Sequence, residues 1–248
     1  MSSLIDQVAD GVWLVTGTDV NWVLVAEGGE VTLVDTGYPG DLPRVISSLE
    51  HIGRGLGDVS AIVLTHAHPD HIGGAERLRV DEHIPVRVLA AEVPNARGEV
   101  IEEASQMQVL RAAWRPPVLR WVLRIMRAGA TRVERLSEVV AFEPGSGPLD
   151  VPGRLIPIPT PGHTGGHCSF HLPDRGVVIA GDALVTAHPV ARTGGPQLCP
   201  RMFNHDQAAT AASLQVLAGV SAEVLLTGHG PPFRGAPARA VELALAAQ

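Results

Sequence analysis

The sequence predicts an α/β protein in which two β-sheets pack face to face beneath outer helices. Short apolar runs separated by glycine-containing turns fill the first forty residues, which is typical of adjacent strands. Strand-like and helix-like stretches follow one another in both halves of the chain, and no proline-, glycine- or serine-rich linker divides it. At 248 residues the chain is long enough for a substantial core. We therefore expect a single domain spanning residues 1–248.

The first half begins as a β-meander. The stretches GVWLVTG, NWVLVAEGGE and VTLVDTG are apolar runs that end in glycine-containing turns. DLPRVISSLEHIG follows as a helix, with Asp41 as its N-cap, Pro43 in its first turn and Gly53 at its end. SAIVLT then predicts a buried strand, AERLRV a helix and PVRVLAA a further strand.

The middle of the chain predicts a helical insertion at approximately residues 99–135. Residues 99–114 and 117–128 are expected to form two helices, and three arginines share one face of the second beside a wide apolar surface. We interpret this second helix as packing on the core. A cap that covers the substrate and a contact with a membrane surface are the alternatives, the membrane contact being the least favoured.

The second half repeats the style of the first. RLIPIPTPGHTGGHCSFHL and GVVIAGDALV predict strands, DQAATAASLQVLAGV predicts a helix and AEVLLTGHG predicts a final strand. Strands and helices in both halves are what two sheets under outer helices require.

Composition excludes several classes of function. A net charge of −7 argues against a nucleic-acid binder, and the absence of lysine excludes chemistry that needs a lysine amine. No apolar run is long enough to cross a membrane, and the first residues do not resemble a secretory signal. The two cysteines, Cys168 and Cys199, suit a reducing compartment. We expect a cytoplasmic protein with a small-molecule substrate; the sequence leaves a homo-oligomer open.

The stretch THAHPDHIGG, residues 65–74, places three histidines and an aspartate within six positions. Such groups are costly to bury without a partner. The apolar run before the stretch predicts a buried strand, and the two glycines at its end predict a tight turn into a helix. The cluster therefore lies at the carboxyl end of a strand, where α/β proteins place their chemistry. Its members are His66, His68, Asp70 and His71.

Three further residues of the same chemical types follow predicted strands. His163 lies in TPGHTGGH, Asp182 in VVIAGDAL and His229 in VLLTGHGPP. Each has a glycine neighbour, which lets the backbone approach a tightly packed site. They are candidate ligands in the same context as the cluster.

These motifs together resemble the metallo-β-lactamase-fold superfamily of metallo-hydrolases. The pattern H-x-H-x-D-H is followed by a distant histidine, a strand-end Gly-Asp and a final Gly-His, and the early VDTG with Asp35 matches the family's first motif. The resemblance covers the chain from GVWLV to GHGPP. It implies a four-layer αββα sandwich.

The resemblance also implies two groups of metal ligands joined by one carboxylate. The first group is His66, His68 and His163. The second group is Asp70, His71 and His229, with Asp182 bridging the two ions. Asp35 would stand behind the ligands and accept the outer N–H of an imidazole. The residue types agree independently, because imidazoles and carboxylates suit two zinc ions; iron or manganese would also tolerate this set.

Two adjacent divalent ions predict a hydrolase. A metal-bridging hydroxide would be available at pH 7, and the same ions would polarise a substrate carbonyl. Asp70 would orient the nucleophile or pass a proton to the leaving group. We expect cleavage of an acyl bond in an ester, lactone or thioester. A phosphodiesterase or nuclease of the same fold and a mononuclear-iron persulfide dioxygenase are the alternatives.

The substrate is less well defined by the sequence. Acyl-homoserine lactonases that share this ligand set typically carry a tyrosine three residues after the bridging aspartate, where this chain has Val185. Glyoxalase II-like thioesterases often hold glutathione with lysines, which this chain lacks. We expect substrate contacts from Tyr38, Trp121 and His188.

Overall fold

The computed structural model describes residues 4–247, which form two β-sheets and the helices around them. The first sheet contains seven strands in the order in which they occur in the chain. They are β1 (Ile5–Ala9), β2 (Val12–Thr16), β3 (Asn21–Glu27), β4 (Glu30–Val34), β5 (Val59–Val63), β6 (Val86–Leu89) and β7 (Val140–Phe142). Strands β1 to β4 pair antiparallel, which confirms the predicted meander, and β4 to β7 pair in parallel.

The second sheet contains five strands from the second half of the chain. They are β8 (Ile156–Pro159), β9 (Cys168–Leu172), β10 (Val177–Gly181), β11 (Val224–Thr227) and β12 (Phe233–Arg234). Their order is β12-β11-β10-β9-β8, and only β10 and β11 pair in parallel. The carboxyl ends of β10 and β11 therefore meet at one edge of the sheet.

The helices lie in the connections between strands. They are α1 (Leu42–His51), α2 (Pro69–Ile72), α3 (Ala75–Glu82), α4 (Val93–Ala96), α5 (Gln106–Ala112), α6 (Pro116–Arg127), α7 (Gln207–Ala218) and α8 (Pro237–Ala246). Local chemistry sets several of their starts: Asp206 accepts hydrogen bonds from the backbone N–H groups of Ala208 and Ala209, and proline opens α6 and α8. No described helix is long and apolar enough to span a bilayer.

Alternation along the strands divides the core into layers. Val23 and Val25 of β3 pack between the sheets against residues such as Phe170, whereas Trp22 and Leu24 pack on the opposite face. That outer face of the first sheet is covered by α1 and α3. The outer face of the second sheet is covered by α7 and α8. Because both faces of each sheet are buried, the result is the predicted four-layer αββα sandwich.

The structure corrects the first of the two central helices. The sequence predicts a helix over residues 99–114, but α5 begins at residue 106. Ser105 accepts a hydrogen bond from the Gln108 backbone N–H, and the Gln108 side chain accepts one from Ser105 N–H, so this pair stops the helix from extending backwards. The preceding residues form irregular backbone in which the Glu102 carbonyl contacts His68. The S-x-x-Q spacing was the signal for this start.

Candidate metal centre

The candidate ligands meet where strands of both sheets end. Asp35 follows β4 and Asp182 follows β10, while His66 and His229 lie within three residues of the ends of β5 and β11. His68 is the N-cap residue of α2, and the single turn of this helix carries Asp70 and His71. Parallel pairing places successive carboxyl ends at one edge of a sheet, so distant residues converge without long loops.

The first group of predicted ligands, His66, His68 and His163, lies together in a buried cluster. The Nε2 atom of His163 is 2.9 Å from Nδ1 of His68 and 3.4 Å from Oδ2 of Asp182. The His66 ring centroid is 4.6 Å from that of His68 and 4.7 Å from that of His163. The three imidazoles therefore face one small volume.

The second group, Asp70, His71 and His229, lies beside the first. The Nε2 atom of His229 is 3.5 Å from Oδ2 of Asp70, and Nε2 of His71 is 4.0 Å from the same oxygen. Asp182 lies between the two groups. Its Oδ2 is 3.0 Å from His229 Nε2, and its Oδ1 is 3.8 Å from His71 Nε2. Since the same Oδ2 also lies 3.4 Å from His163 Nε2, one carboxylate contacts both groups.

Each imidazole of the two groups is fixed by a hydrogen bond on the ring nitrogen that faces away from the cluster. These contacts are His66 Nδ1–Thr65 Oγ1 (3.0 Å), His68 Nε2–Glu102 O (2.6 Å), His71 Nδ1–Asp35 Oδ2 (2.8 Å), His163 Nδ1–Asn204 Oδ1 (2.8 Å) and His229 Nδ1–Asp19 O (2.6 Å). Carbonyl and carboxylate oxygens can only accept, and the Thr65 hydroxyl donates its proton to Asp35, so these rings donate outwards. A neutral ring held in this way keeps a lone pair on the nitrogen that faces the cluster.

The inward atoms provide a test of whether metal ions fit. Five buried side-chain nitrogen or oxygen atoms lack a hydrogen-bond partner within residues 4–247, and three of them are His66 Nε2, His71 Nε2 and Asp182 Oδ1. Buried polar atoms without partners are rare and costly, and here they converge. Imidazole nitrogens and carboxylate oxygens are suitable ligands for zinc and for iron or manganese. The donor set therefore fits divalent ions.

The charges of the cluster are strongly coupled. Burial lowers the pKa of His71, but Asp35, Asp70 and Asp182 outweigh burial and raise this pKa to about 10. Burial raises the pKa of Asp182, yet His229 and His71 hold it well below its usual range. Burial and neighbouring histidines lower the pKa of His66. The cluster therefore combines an ionised Asp182 and a neutral His66 with a His71 that holds its proton, and a bound cation would replace that proton.

One glycine is required by the close packing of the cluster. A Cβ atom at Gly228 would overlap the Asp182 carboxylate and approach the His71 ring. Any side chain here would displace the residue that joins the two groups. This explains the glycine that precedes His229.

Sequence reasoning missed several residues that contact the cluster. Asn204 orients His163, and the buried Glu92 carboxylate accepts hydrogen bonds from the loops that carry the first group. Cys199, to which the sequence assigns no role, has its Sγ 3.7 Å from Asp182 Oδ2, and burial raises the pKa of this thiol. None of the three has a local sequence signal, because each acts through a contact with a distant segment.

Of the three residues predicted to contact substrate, His188 lines a cavity of about 710 Å³, which none of the candidate ligands lines and which adjoins the cluster through His188 and Gly230. Its ring centroid is 4.9 Å from that of His229. The walls include Pro117, Arg120 and Arg124, so α6 borders this cavity. Trp121 lies behind the wall, with its ring 6.0 Å from His188 and 5.5 Å from Phe203.

Tyr38 is buried rather than open to the cavity. It packs against Val20 and Ala128, and burial together with the charge of Asp70 raises the pKa of its hydroxyl well above the usual range. Its backbone N–H donates to Asp41, whose carboxylate also receives hydrogen bonds from Thr18 instead of capping α1. Tyr38 therefore lies under the loop that borders the cluster.

Comparisons with known proteins cover most of the chain. The family model described as "Metallo-beta-lactamase superfamily" matches residues 15–229, a range that includes every candidate ligand. The Bacillus subtilis (strain 168) protein named "Probable metallo-hydrolase YflN" is 30% identical over 222 residues, which are 86% of this chain and 80% of the relative.

Two further proteins extend the comparison. A hydroxyacylglutathione hydrolase of Cereibacter sphaeroides (strain ATCC 17029 / ATH 2.4.9) is 29% identical over 205 residues, which are 81% of this chain but only 58% of the relative. The crystal structure of a metallo-beta-lactamase family protein from Thermus thermophilus, TTHA1429, has a TM-score of 0.67 and 29% identity, and the match covers 97% of this chain and 80% of that one.

Proposed function

The chain belongs to the metallo-beta-lactamase superfamily and is a metallo-hydrolase; from that premise we propose that it uses two metal ions to cleave an acyl bond. The observation that carries this proposal is the convergence of buried, unpartnered atoms of His66, His71 and Asp182. A structural histidine cluster would satisfy these atoms with protein partners. Their lack of partners, together with the outward hydrogen bonds of all five imidazoles, supports a role as ligands.

We assign the ligands as two groups. His66, His68 and His163 would hold the first ion, and Asp70, His71 and His229 would hold the second. Asp182 would bridge them, since its carboxylate lies 3.4 Å from His163 of the first group and 3.0 Å from His229 of the second. Zinc is the proposed metal because the set contains only imidazole and carboxylate, and iron and manganese are the alternatives.

When bound, the two ions would supply Lewis-acid chemistry, lowering the pKa of a water molecule and polarising an acyl carbonyl. The protein side chains would orient the metal ligands and the reacting groups. Asp35 holds the His71 ring with its Nε2 directed inwards. Asp70 has a side chain that is 16% exposed, whereas Asp182 is almost fully buried. Asp70 is therefore the carboxylate placed to orient a nucleophile or hand a proton to the leaving group.

The cavity supports a small acyl substrate of mixed polarity. Leu14, Val20 and several prolines form its apolar walls, and Arg120 and Arg124 add charge at α6. Val185 is fully buried and, as a valine, has no hydroxyl group to offer a lactone. The similarity to a hydroxyacylglutathione hydrolase favours a thioester as the first substrate to test. Esters and lactones follow.

We assign His188 to direct substrate contact, because its ring lines the cavity next to His229. Trp121 would shape the cavity from behind His188. Tyr38 is buried against Val20 and Ala128. It would therefore support the loop between β2 and β3, which contains Val20, rather than contact the substrate itself.

Elemental analysis of the purified protein, joined to a panel of thioesters, esters and lactones, tests this function. We expect about two zinc or other divalent ions per chain and hydrolysis of at least one acyl class. The His163→Ala variant is the control, and it should lose metal and activity together. A single iron per chain with no hydrolysis would instead favour the dioxygenase, and cleavage of phosphodiesters alone would favour the nuclease.

A further inference from the structure

Glu92 is a fully buried carboxylate whose hydrogen bonds all go to segments around the first group of ligands. It lies in the turn between β6 and α4. Its Oε1 accepts a hydrogen bond from the backbone N–H of Ala67 at 2.9 Å and one from Nδ2 of Asn95 at 2.7 Å. Ala67 stands between His66 and His68, so this oxygen holds the backbone that carries both histidines.

The other oxygen of Glu92 holds a different loop. Its Oε2 accepts hydrogen bonds from Thr164 Oγ1 at 2.8 Å and from Gly166 N–H at 3.0 Å. Thr164 directly follows His163. A Cβ atom at Gly166 would overlap the backbone of Ala91 and Glu92, so this loop rests directly on the turn that carries the carboxylate. One side chain thus joins two loops that are far apart in sequence.

Asn95 extends the same connection to His68. While its Nδ2 donates to Glu92, its Oδ1 accepts from the backbone N–H of Glu102 at 3.4 Å. The carbonyl of Glu102 accepts the hydrogen bond from His68 Nε2, and the Glu102 carboxylate accepts one from Gly165 N–H. His66 and His163 are therefore each next to a residue that hydrogen-bonds to Glu92, and His68 is reached both through Ala67 and through three successive hydrogen bonds.

The second group has different supports. His71 is held by Asp35, and His229 is held by the carbonyl of Asp19. No hydrogen bond of Glu92 within the described residues reaches the segments that carry Asp35 or Asp19. The supports of the two groups meet at Thr65, whose hydroxyl donates to Asp35 and contacts His66, but Glu92 itself hydrogen-bonds only to segments beside the first group.

We propose that Glu92 is a positioning residue that sets the metal affinity of the first group far more than that of the second. This inference rests on the proposed two-metal centre. It adds that the metal affinities of the two positions can be lowered one at a time. A rigid pair of loops keeps the three imidazoles at the separation a small ion requires, and mobile loops would lose that geometry.

The Glu92→Gln variant isolates this role. Four donors surround the carboxylate, two at each oxygen, and a glutamine of the same shape offers one accepting oxygen and one donating NH₂ group. One of the two loops would therefore face a donor instead of an acceptor. Glu76→Gln is the matched control, because Glu76 is a buried carboxylate that binds Arg79 and Ser137 away from the cluster.

The experiment measures zinc affinity by competition with a chromophoric chelator, after the bound metal has been removed. Because substrate is absent, the readout does not depend on activity. We expect Glu92→Gln to weaken one of the two zinc positions by about 10- to 100-fold, the usual range for a residue that orients metal ligands. Glu76→Gln should leave both positions unchanged.

Two backgrounds show which position is affected. In His229→Ala, which disables the second group, Glu92→Gln should weaken the remaining zinc position by the same factor. In His163→Ala, which disables the first group, it should change the remaining affinity by less than about twofold. Equal weakening in both backgrounds, weakening only in His163→Ala, or no weakening at all would overturn the inference.

If Glu92→Gln does not fold, a less disruptive variant tests the same inference. Thr164→Val removes one donor at nearly constant volume and should produce a smaller loss confined to the His229→Ala background. The test also separates the two proposals. If zinc binds twice but no acyl bond is cleaved, the proposed hydrolysis fails and the inference stands. If wild type binds two ions and hydrolyses, yet Glu92→Gln leaves both positions intact, only the inference fails.

Discussion

The candidate metal centre and the central helical segment, residues 99–135, are built on opposite principles. Every imidazole in the two ligand groups is fixed by a hydrogen bond on its outward nitrogen, and almost all of the cluster is buried. The central segment instead exposes large apolar side chains, with Trp114 81% exposed and Leu119, Leu123 and Met126 close to half exposed. The helix α6 of this segment is attached to the sandwich by a small number of contacts.

The ends of the central segment support the cluster, because Glu102 contacts His68 and Gly165 and Arg135 donates to the Ala67 carbonyl, whereas α6 between them has few attachments. Arg124 of α6 forms a two-contact ion pair with Asp19, at 2.7 and 3.2 Å, and the Gly40 N–H donates to the Ala128 carbonyl. Val118 and Trp121 on the inner face of α6 pack against Val190. The comparison teaches that the chemistry belongs to the rigid sandwich, whereas α6, which borders the cavity, is the part suited to determine what enters it.

The largest effect should follow from removing the residue that joins the two ligand groups. Asp182→Ala should abolish metal-dependent hydrolysis, by at least about 1000-fold, because neither ion keeps its full ligand set. Elemental analysis and hydrolysis rates measure the two losses, and circular dichroism provides the control for folding. A metal-free variant with full activity would contradict the proposed mechanism.

The next largest effect should follow from changing how one ligand is held. Asp35→Asn places an NH₂ group against His71 Nδ1, which favours the tautomer whose Nε2 carries a proton and cannot bind metal. Zinc affinity should fall by about 10- to 100-fold. Asp35 has a φ of 62°, and asparagine tolerates this left-handed conformation, so backbone strain does not confound the result. Unchanged affinity in a chelator competition assay would show that the tautomer is set elsewhere.

A matched pair on α6 tests whether the inner face determines specificity. Trp121→Leu should raise KM for a bulky acyl substrate by about 3- to 10-fold without lowering metal content, because the support behind His188 is lost. Leu119→Ala on the outer face should change neither quantity. Steady-state kinetics on short and long acyl chains measure the difference. Equal effects of both variants would mean that α6 acts only through stability.

The smallest effect should appear in acid. The hydrogen bond from Arg79 lowers the pKa of Glu76, and two hydrogen bonds from Ser137, which follows the central segment, act in the same direction. A carboxylate with a depressed pKa stabilises the fold above its unfolded-state pKa, and this contribution is lost as the pH falls through the folded-state value. Glu76→Gln should remove under about 1 kcal/mol at pH 7 and flatten the loss of stability below about pH 4.5.

Urea unfolding of wild type and Glu76→Gln at several pH values measures this contribution. Parallel stability curves for the two proteins across the acid range would exclude Glu76 as the titrating group.

Apolar runs such as VTLV and VVIAG predicted the buried strands of the sandwich, because burial on both faces of a sheet leaves a nearly continuous apolar run. The ligand motifs were equally visible, since H-x-H-x-D-H places four groups on one turn after a strand. These features are local, and local patterns are what a sequence displays directly.

Only the tertiary structure decided which groups stand behind the ligands. Asn204 reaches His163 across 41 positions and Glu92 reaches Gly166 across 74, and backbone carbonyls of Glu102 and Asp19 complete the set. Every residue has a backbone carbonyl, so the sequence does not mark the carbonyls that hold His68 and His229. The Glu92 carboxylate gains its role only when two loops fold onto it. The sequence by itself determined which chemistry is present; the packing of the two sheets decided how firmly each half of the centre is held.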